Sequence, residues 1–131
     1  MAKIGRFEDM LSWQKARDLT RHVYRLSKQG DFAKDFELRG QIRAASVSIM
    51  SNIAEGFERG GDKEFLQFLS TAKASCGEVR SQLYVALDQS YITQTEFKEL
   101  NAGTMEVGRL VSGFINYLRQ SSLRGSKFKQ T

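Results

Sequence analysis

Apolar residues recur at helical spacing through four long segments of this chain, separated by short polar links. In the first, Trp13, Ala16, Leu19, Thr20, Val23, Leu26 and Ser27 cluster on one side at 100° per residue. That spacing predicts an amphipathic helix from about Glu8 to Lys28, with Gly30 as its stop. The second segment starts at Asp35, whose carboxylate suits an N-cap, and carries Leu38, Ile42, Ala45, Ile49 and Ile53 to an end between Glu55 and Gly60. The third, about Lys63 to Ser90 with Asp62 as N-cap, aligns Phe65, Phe68, Leu69, Ala72, Cys76, Val79, Leu83, Ala86 and Leu87. The fourth opens on Thr93-Gln94-Thr95-Glu96, a capping box in which hydroxyl and carboxylate satisfy each other's free backbone amides. It continues through Phe97, Leu100, Thr104, Val107, Val111, Ile115 and Leu118. Links near 29–34, 58–62 and 90–93 are short enough to make successive helices antiparallel neighbours, so the pattern predicts an all-α, up-down-up-down four-helix bundle. Residues 1–120 form one domain on this reading. Beyond Gln120 periodicity stops, and 121–131 is expected to be a flexible basic tail.

The second helix has an apolar strip too many. Besides its core stripe it carries Val47, Met50, Ala54 and Phe57, and no charge occurs from Ala44 through Ala54. No helix is central in a four-helix bundle, so this second face is expected to meet another subunit. Small residues at Ala44–Ser48 and Ala72–Gly77 predict that the second and third helices approach closely there, offsetting the roughly 1 kcal/mol that Gly77 costs a helix interior. Gly103, Gly108 and Gly113 make the fourth helix the weakest by propensity and the most dependent on packing.

Composition narrows the class. The 131 residues contain no proline and are 40% apolar, as suits a helical domain with one core. No apolar run is long enough to span a bilayer, and MAKIGRFEDM lacks the apolar stretch of a signal peptide, so a soluble cytoplasmic protein is expected. Cys76 falls on an apolar face as small core filler. The net charge of +5 is uneven: residues 1–30 hold seven Lys/Arg against three Asp/Glu, and residues 119–131 hold four against none. Arg17, Arg21, Arg25 and Lys28 share one side of the first helix, and Arg119, Arg124, Lys127 and Lys129 follow the last. These eight residues are candidates for phosphate contact, the ordinary alternative for the helical row being a solvated face. Tyr24, Tyr84 and Tyr91 offer aromatic surface near helix ends, an arrangement routine at a bundle rim.

Catalytic chemistry finds little to work with. A di-iron bundle needs two Glu-x-x-His pairs, whereas His22 is the sole histidine and has Leu19 three positions before it. One histidine and one cysteine do not make a zinc site, and Cys-x-x-Cys-His is absent. Gly56 and Gly61 bracket four residues like a phosphate loop, but Asp62-Lys63 follows and the loop leaves a helix instead of a strand. A non-enzyme without metal or cofactor is expected.

Several motifs are similar to one known family: Phe7–Trp13 (FEDMLSW), Trp13-Gln14-Lys15-Ala16, Gln41–Ala45 (QIRAA), Val47-Ser48-Ile49, Ser51-Asn52-Ile53-Ala54-Glu55-Gly56, and Glu64-Phe65 with Phe68-Leu69. They resemble the four-helix bundle proteins encoded in intervening sequences of bacterial 23S rRNA genes, from about Phe7 to Leu118. Met50 stands where members often have proline, and Glu58-Arg59-Gly60-Gly61 matches the family's linker loosely. The resemblance implies a ring-shaped homopentamer without established catalysis. A related branch looks like the accessory variability protein of diversity-generating retroelements, which partners a reverse transcriptase and its template RNA. Two roles therefore stand open: a nucleic-acid-binding oligomer, RNA favoured, or a protein-interaction scaffold serving a reverse transcriptase. For Asn52, Glu55, Gly56 and Arg59 the residues themselves suggest a helix terminus and subunit junction, with Glu55 and Arg59 paired at i,i+4, and a ligand site as the alternative.

Overall fold

The computed structural model of the chain describes residues 4–123. Four α-helices follow one another: α1 over Leu11–Ser27, α2 over Phe36–Arg59, α3 over Asp62–Asp88 and α4 over Gln94–Leu123. Short 3-10 turns occupy Phe7–Asp9 and Gly30–Lys34.

Helix ends differ in places from what the pattern predicts, each for a local reason. The α1 helix starts at Leu11 because Phe7–Asp9 tightens into a 3-10 turn, closed by Met10 N–H donating to the Phe7 carbonyl at 2.9 Å. Phe7 meets Trp13 edge to face at 5.2 Å, and the Gln14 amide donates to the Glu8 carbonyl at 2.9 Å, which fastens this turn to α1. Asp35 caps α2 as expected, accepting from Leu38 N–H at 3.0 Å, and α2 stops at Gly60, whose φ of +79° a residue with a side chain would adopt only under strain. At α3 the expected cap is displaced by one residue. Gly61 is the N-cap, Asp62 is the first helical residue, and the Glu64 carboxylate lies back over Gly61. The capping box of α4 is present, with Glu96 N–H donating to Thr93 Oγ1 at 3.1 Å and Thr93 N–H to Glu96 Oε1 at 2.8 Å. The helix it starts is described through Leu123, past the boundary expected after Gln120. Arg124, Lys127 and Lys129 lie outside the described residues.

Each helix touches two others: α1 meets α2 and α4, and α3 meets α2 and α4. Gly56 meets Phe65 and Ser48 meets Ser75 across α2 and α3; Tyr84 meets Phe97 and Arg80 meets Asn101 across α3 and α4. The expected stripes fill the space between, with Ile42, Ile49, Ile53, Leu69, Val79, Leu83, Leu100, Val107 and Val111 all but sealed from water. Thr20 and Thr104 are buried too, their hydroxyls donating one turn back to Ala16 O and Leu100 O. Cys76 lies in this core, and burial pushes its thiol up to about 11. The expected close approach of α2 and α3 is present, the Ser48 and Ser75 hydroxyls of the two small-residue stretches lying 2.9 Å apart, but its tightest glycine is not Gly77. A Cβ on Gly77 would meet nothing within 4 Å, whereas one on Gly56 would stand 2.8 Å from both Phe65 Cδ1 and Phe68 Cβ.

The 3-10 turn after α1 contributes Phe32, which is buried and stacks on Tyr91 at 5.3 Å. The Tyr91 hydroxyl donates to Asp35 Oδ2 at 2.9 Å. The Leu38 amide first, and then this hydroxyl, hold the Asp35 carboxyl below its ordinary value, while donation to Asp35 raises the Tyr91 phenol. A depressed carboxyl contributes its stability fully above the ordinary carboxylate range and loses it as the pH falls through the depressed value. The difference in Tm between wild type and Asp35→Ala is therefore expected to narrow as the pH drops below about 4, and a difference that stays constant down to pH 2 contradicts the assigned hydrogen bonds.

Candidate nucleic-acid interface

Burial of Ala16, Leu19, Val23 and Leu26 turns the opposite side of α1 to solvent, and that side carries the cations. Arg17, Arg21, Arg25 and Lys28 are all exposed, in a row about 16 Å long at 1.5 Å per residue. Carboxylates interrupt the row. Arg21 is paired with Asp18, and the shallow groove of about 470 Å³ that Arg17 and Arg21 share with Trp13 and Gln14 also holds Glu8. Arg17 lies 5.8 Å from the Trp13 ring, and neighbouring Lys15 reaches Glu106 of α4 at 4.0 Å. His22 is half-buried within the row. Burial foremost, then Arg25, lowers its pKa against the opposing pull of Glu99 and Glu96, so it adds no charge near neutral pH.

Arg119 does not join that row. It lines a hollow of about 210 Å³ between α3 and α4 with Ser70, Lys73, Ser112 and Asn116, on the side of α4 away from Lys15. A second hollow of about 520 Å³ continues from it past Lys73, Asn116 and Arg109 to Arg80. Lys73, Arg80 and Arg109 are all exposed, and none was singled out by the sequence pattern. Each helix brings only two of the four cations, so neither reads as a stripe until α3 and α4 are placed side by side.

The second apolar strip of α2 is narrower than expected. Met50 and Phe57 are half-buried against the chain's own core, Phe57 meeting Phe65 edge to face at 6.2 Å. Ala54 is half-buried, and only Val47, at 38% exposure, faces outward. Among the described residues no three His, Cys, Asp or Glu side chains gather as a metal site, and no helix is long and apolar enough to cross a membrane.

The family model described as "23S rRNA-intervening sequence protein" matches residues 8–113. The chain belongs to this family. Among solved structures, the chain resembles a protein of unknown function from the S23 ribosomal protein family of Bacteroides thetaiotaomicron VPI-5482, with a TM-score of 0.74 and 22% identity over 81% of this chain and 96% of that one. At that identity the likeness speaks for the fold alone. No curated protein matches the chain.

The motifs that carry the family resemblance are placed where helices join. Arg43 of the Gln41–Ala45 stretch donates from Nε to the buried Ser27 hydroxyl at 2.7 Å and covers the Tyr24 ring at 4.6 Å, tying α2 to the end of α1. Asn52 donates to the Ser48 carbonyl and hydroxyl at 2.8 and 3.0 Å, and that hydroxyl pairs with Ser75 of α3 at 2.9 Å. Gly56 lets Phe65 and Phe68 approach. Glu55 and Arg59 form the expected i,i+4 pair at 2.9 Å, with the Arg59 guanidinium over Phe68 at 5.2 Å. All four motif residues thus serve the α2–α3 junction.

Proposed function

We propose that this protein is a non-enzymatic homo-oligomer that binds nucleic acid, RNA in preference, through Arg17, Arg21, Arg25 and Lys28 of α1, together with Arg124, Lys127 and Lys129 of the basic segment that follows α4. The observation that carries the reading is that all four α1 cations are exposed on one side of a helix whose other side is core. The paired contacts of Gly56 with Phe65 and Ser48 with Ser75, and of Tyr84 with Phe97 and Arg80 with Asn101, support an antiparallel up-down-up-down order. Outward-facing Val47 on a charge-free stretch supports a subunit contact, and a ring of five copies would multiply a modest charge per chain into multivalent binding. A buried thiol held at about 11 supplies no ready nucleophile, which supports the non-enzymatic reading.

Titration of a fluorescently labelled RNA hairpin against salt tests this. With about six phosphates neutralised, log K is expected to fall with a slope of about −5 against log[salt]. Replacing the four α1 cations by glutamine is expected to flatten that slope by about 3. No binding of the hairpin at low salt overturns the proposal and favours the scaffold role beside a reverse transcriptase.

A further inference from the structure

We infer that the groove between α3 and α4 is a path for one strand of unpaired nucleic acid, in which Lys73, Arg80, Arg109 and Arg119 hold phosphates and Tyr84 stacks a base. The inference rests on the nucleic-acid reading above, but on a different surface and for a different form of ligand.

Charge is the first ground. None of the residues lining the two hollows is acidic. Among the described residues Lys73, Arg80, Arg109 and Arg119 make no ion pair, and the Arg80 Nε–H donates to the neutral Asn101 Oδ1 at 3.2 Å, which positions the guanidinium without neutralising it. The α1 row, by contrast, loses Arg21 to Asp18. Three carboxylates of α3 and α4 are engaged elsewhere: Glu78 lines the groove between α2 and α3, Glu106 faces Lys15 of α1, and Glu96 is spent in its capping box.

Shape is the second. Arg80 sits level with Asn101, and Arg119 lies eighteen residues further along α4, so the cations are spread over roughly 27 Å. Gly108 and Gly113 line the floor, where a Cβ would meet nothing within 4 Å, so the backbone there is open to a ligand. A trough between two helices packed about 8–10 Å apart suits one strand and not a duplex. Tyr84, one turn beyond Arg80, is 51% exposed, and its ring rests on Phe97 at 4.8 Å. A supported aromatic at the end of a cation row favours a stacked base over an acidic peptide, which would use the charges and leave the ring idle.

Fluorescence anisotropy on the full chain with a short labelled oligouridine tests the inference, with the RNA hairpin in parallel. The groove variant K73Q/R80Q/R109Q/R119Q is compared with the row variant R17Q/R21Q/R25Q/K28Q, which removes the same charge. The groove variant is expected to weaken oligouridine binding at least about tenfold and to flatten its salt slope by about 3, while the row variant weakens it by less than about threefold. Tyr84→Leu is expected to weaken it about tenfold with the salt slope unchanged. The inference is overturned if the wild type ignores oligouridine, if the row variant loses as much as the groove variant, or if the groove variant changes the oligomer mass, which would make the groove a contact between copies. Should oligouridine binding fail while the hairpin still binds and responds to the row variant, the groove reading falls and the proposed function stands. Failure of both probes ends both.

Discussion

Gly56→Leu is expected to cost the fold at least about 3 kcal/mol, and Gly56→Ala up to about 2 kcal/mol, although alanine is the better helix former. The sign is set by space. Alanine in a helix interior brings about 1 kcal/mol, whereas forcing carbon into a filled core typically costs about 1–3 kcal/mol. At Gly56 the added carbon would lie 2.8 Å from Phe68 Cβ, an atom fixed to the α3 backbone, so relief requires the two helices to separate. Gly77→Ala is the matched control. Its Cβ meets nothing within 4 Å, and the substitution is expected to stabilise by about 1 kcal/mol. Urea midpoints at unchanged m-value read both effects. A Gly56→Ala variant stabilised as much as Gly77→Ala would falsify the close approach.

Val47→Asp is expected to break the proposed assembly while leaving the helices intact, and Leu83→Ala to destabilise the fold itself. Val47 faces solvent within one chain, where a polar substitution changes stability by only about 0.5 kcal/mol, but a carboxylate in a dry subunit contact costs several kcal/mol at each repeat. Leu83 is sealed in the core, and its truncation is expected to cost about 2–5 kcal/mol. Met50→Asp and Phe57→Asp are less discriminating, because both side chains also pack against their own chain's core. Light scattering after size exclusion decides. A wild-type mass near 14.9 kDa, or a Val47→Asp variant whose mass equals that of a multimeric wild type, removes the subunit contact from this face.

The four helices are legible in the sequence because each buries one face and so repeats its apolar residues every three or four positions. Asp35, Gly60 and the Thr93–Glu96 box could be read for the same reason: a cap acts on backbone within a few residues of itself. Contacts between helices are less accessible. Composition announces small residues at Ala72–Gly77, yet whether a glycine is filled or open depends on what the neighbouring helix presents, and the filled one is Gly56. The same limit hid Lys73, Arg80 and Arg109, whose common groove exists only once α3 lies beside α4. Met50 and Phe57 also pack against their own chain's core, since the edge of a core stripe reads as part of a second apolar face.

The connections between helices are held differently. The α1–α2 and α3–α4 connections are latched together, Phe32 stacked on Tyr91 and Asp35 accepting its hydroxyl, although Asp35 and Tyr91 are 56 residues apart. Between α2 and α3 the chain passes through Gly60 and Gly61 alone, while Phe57 and Phe65 pack beside the link. Gly60–Gly61 is thus the natural place to cut or permute the chain: a break there severs the α1–α2 half from the α3–α4 half covalently, yet leaves the Phe32–Tyr91 latch and the packed α2–α3 face to hold them in register.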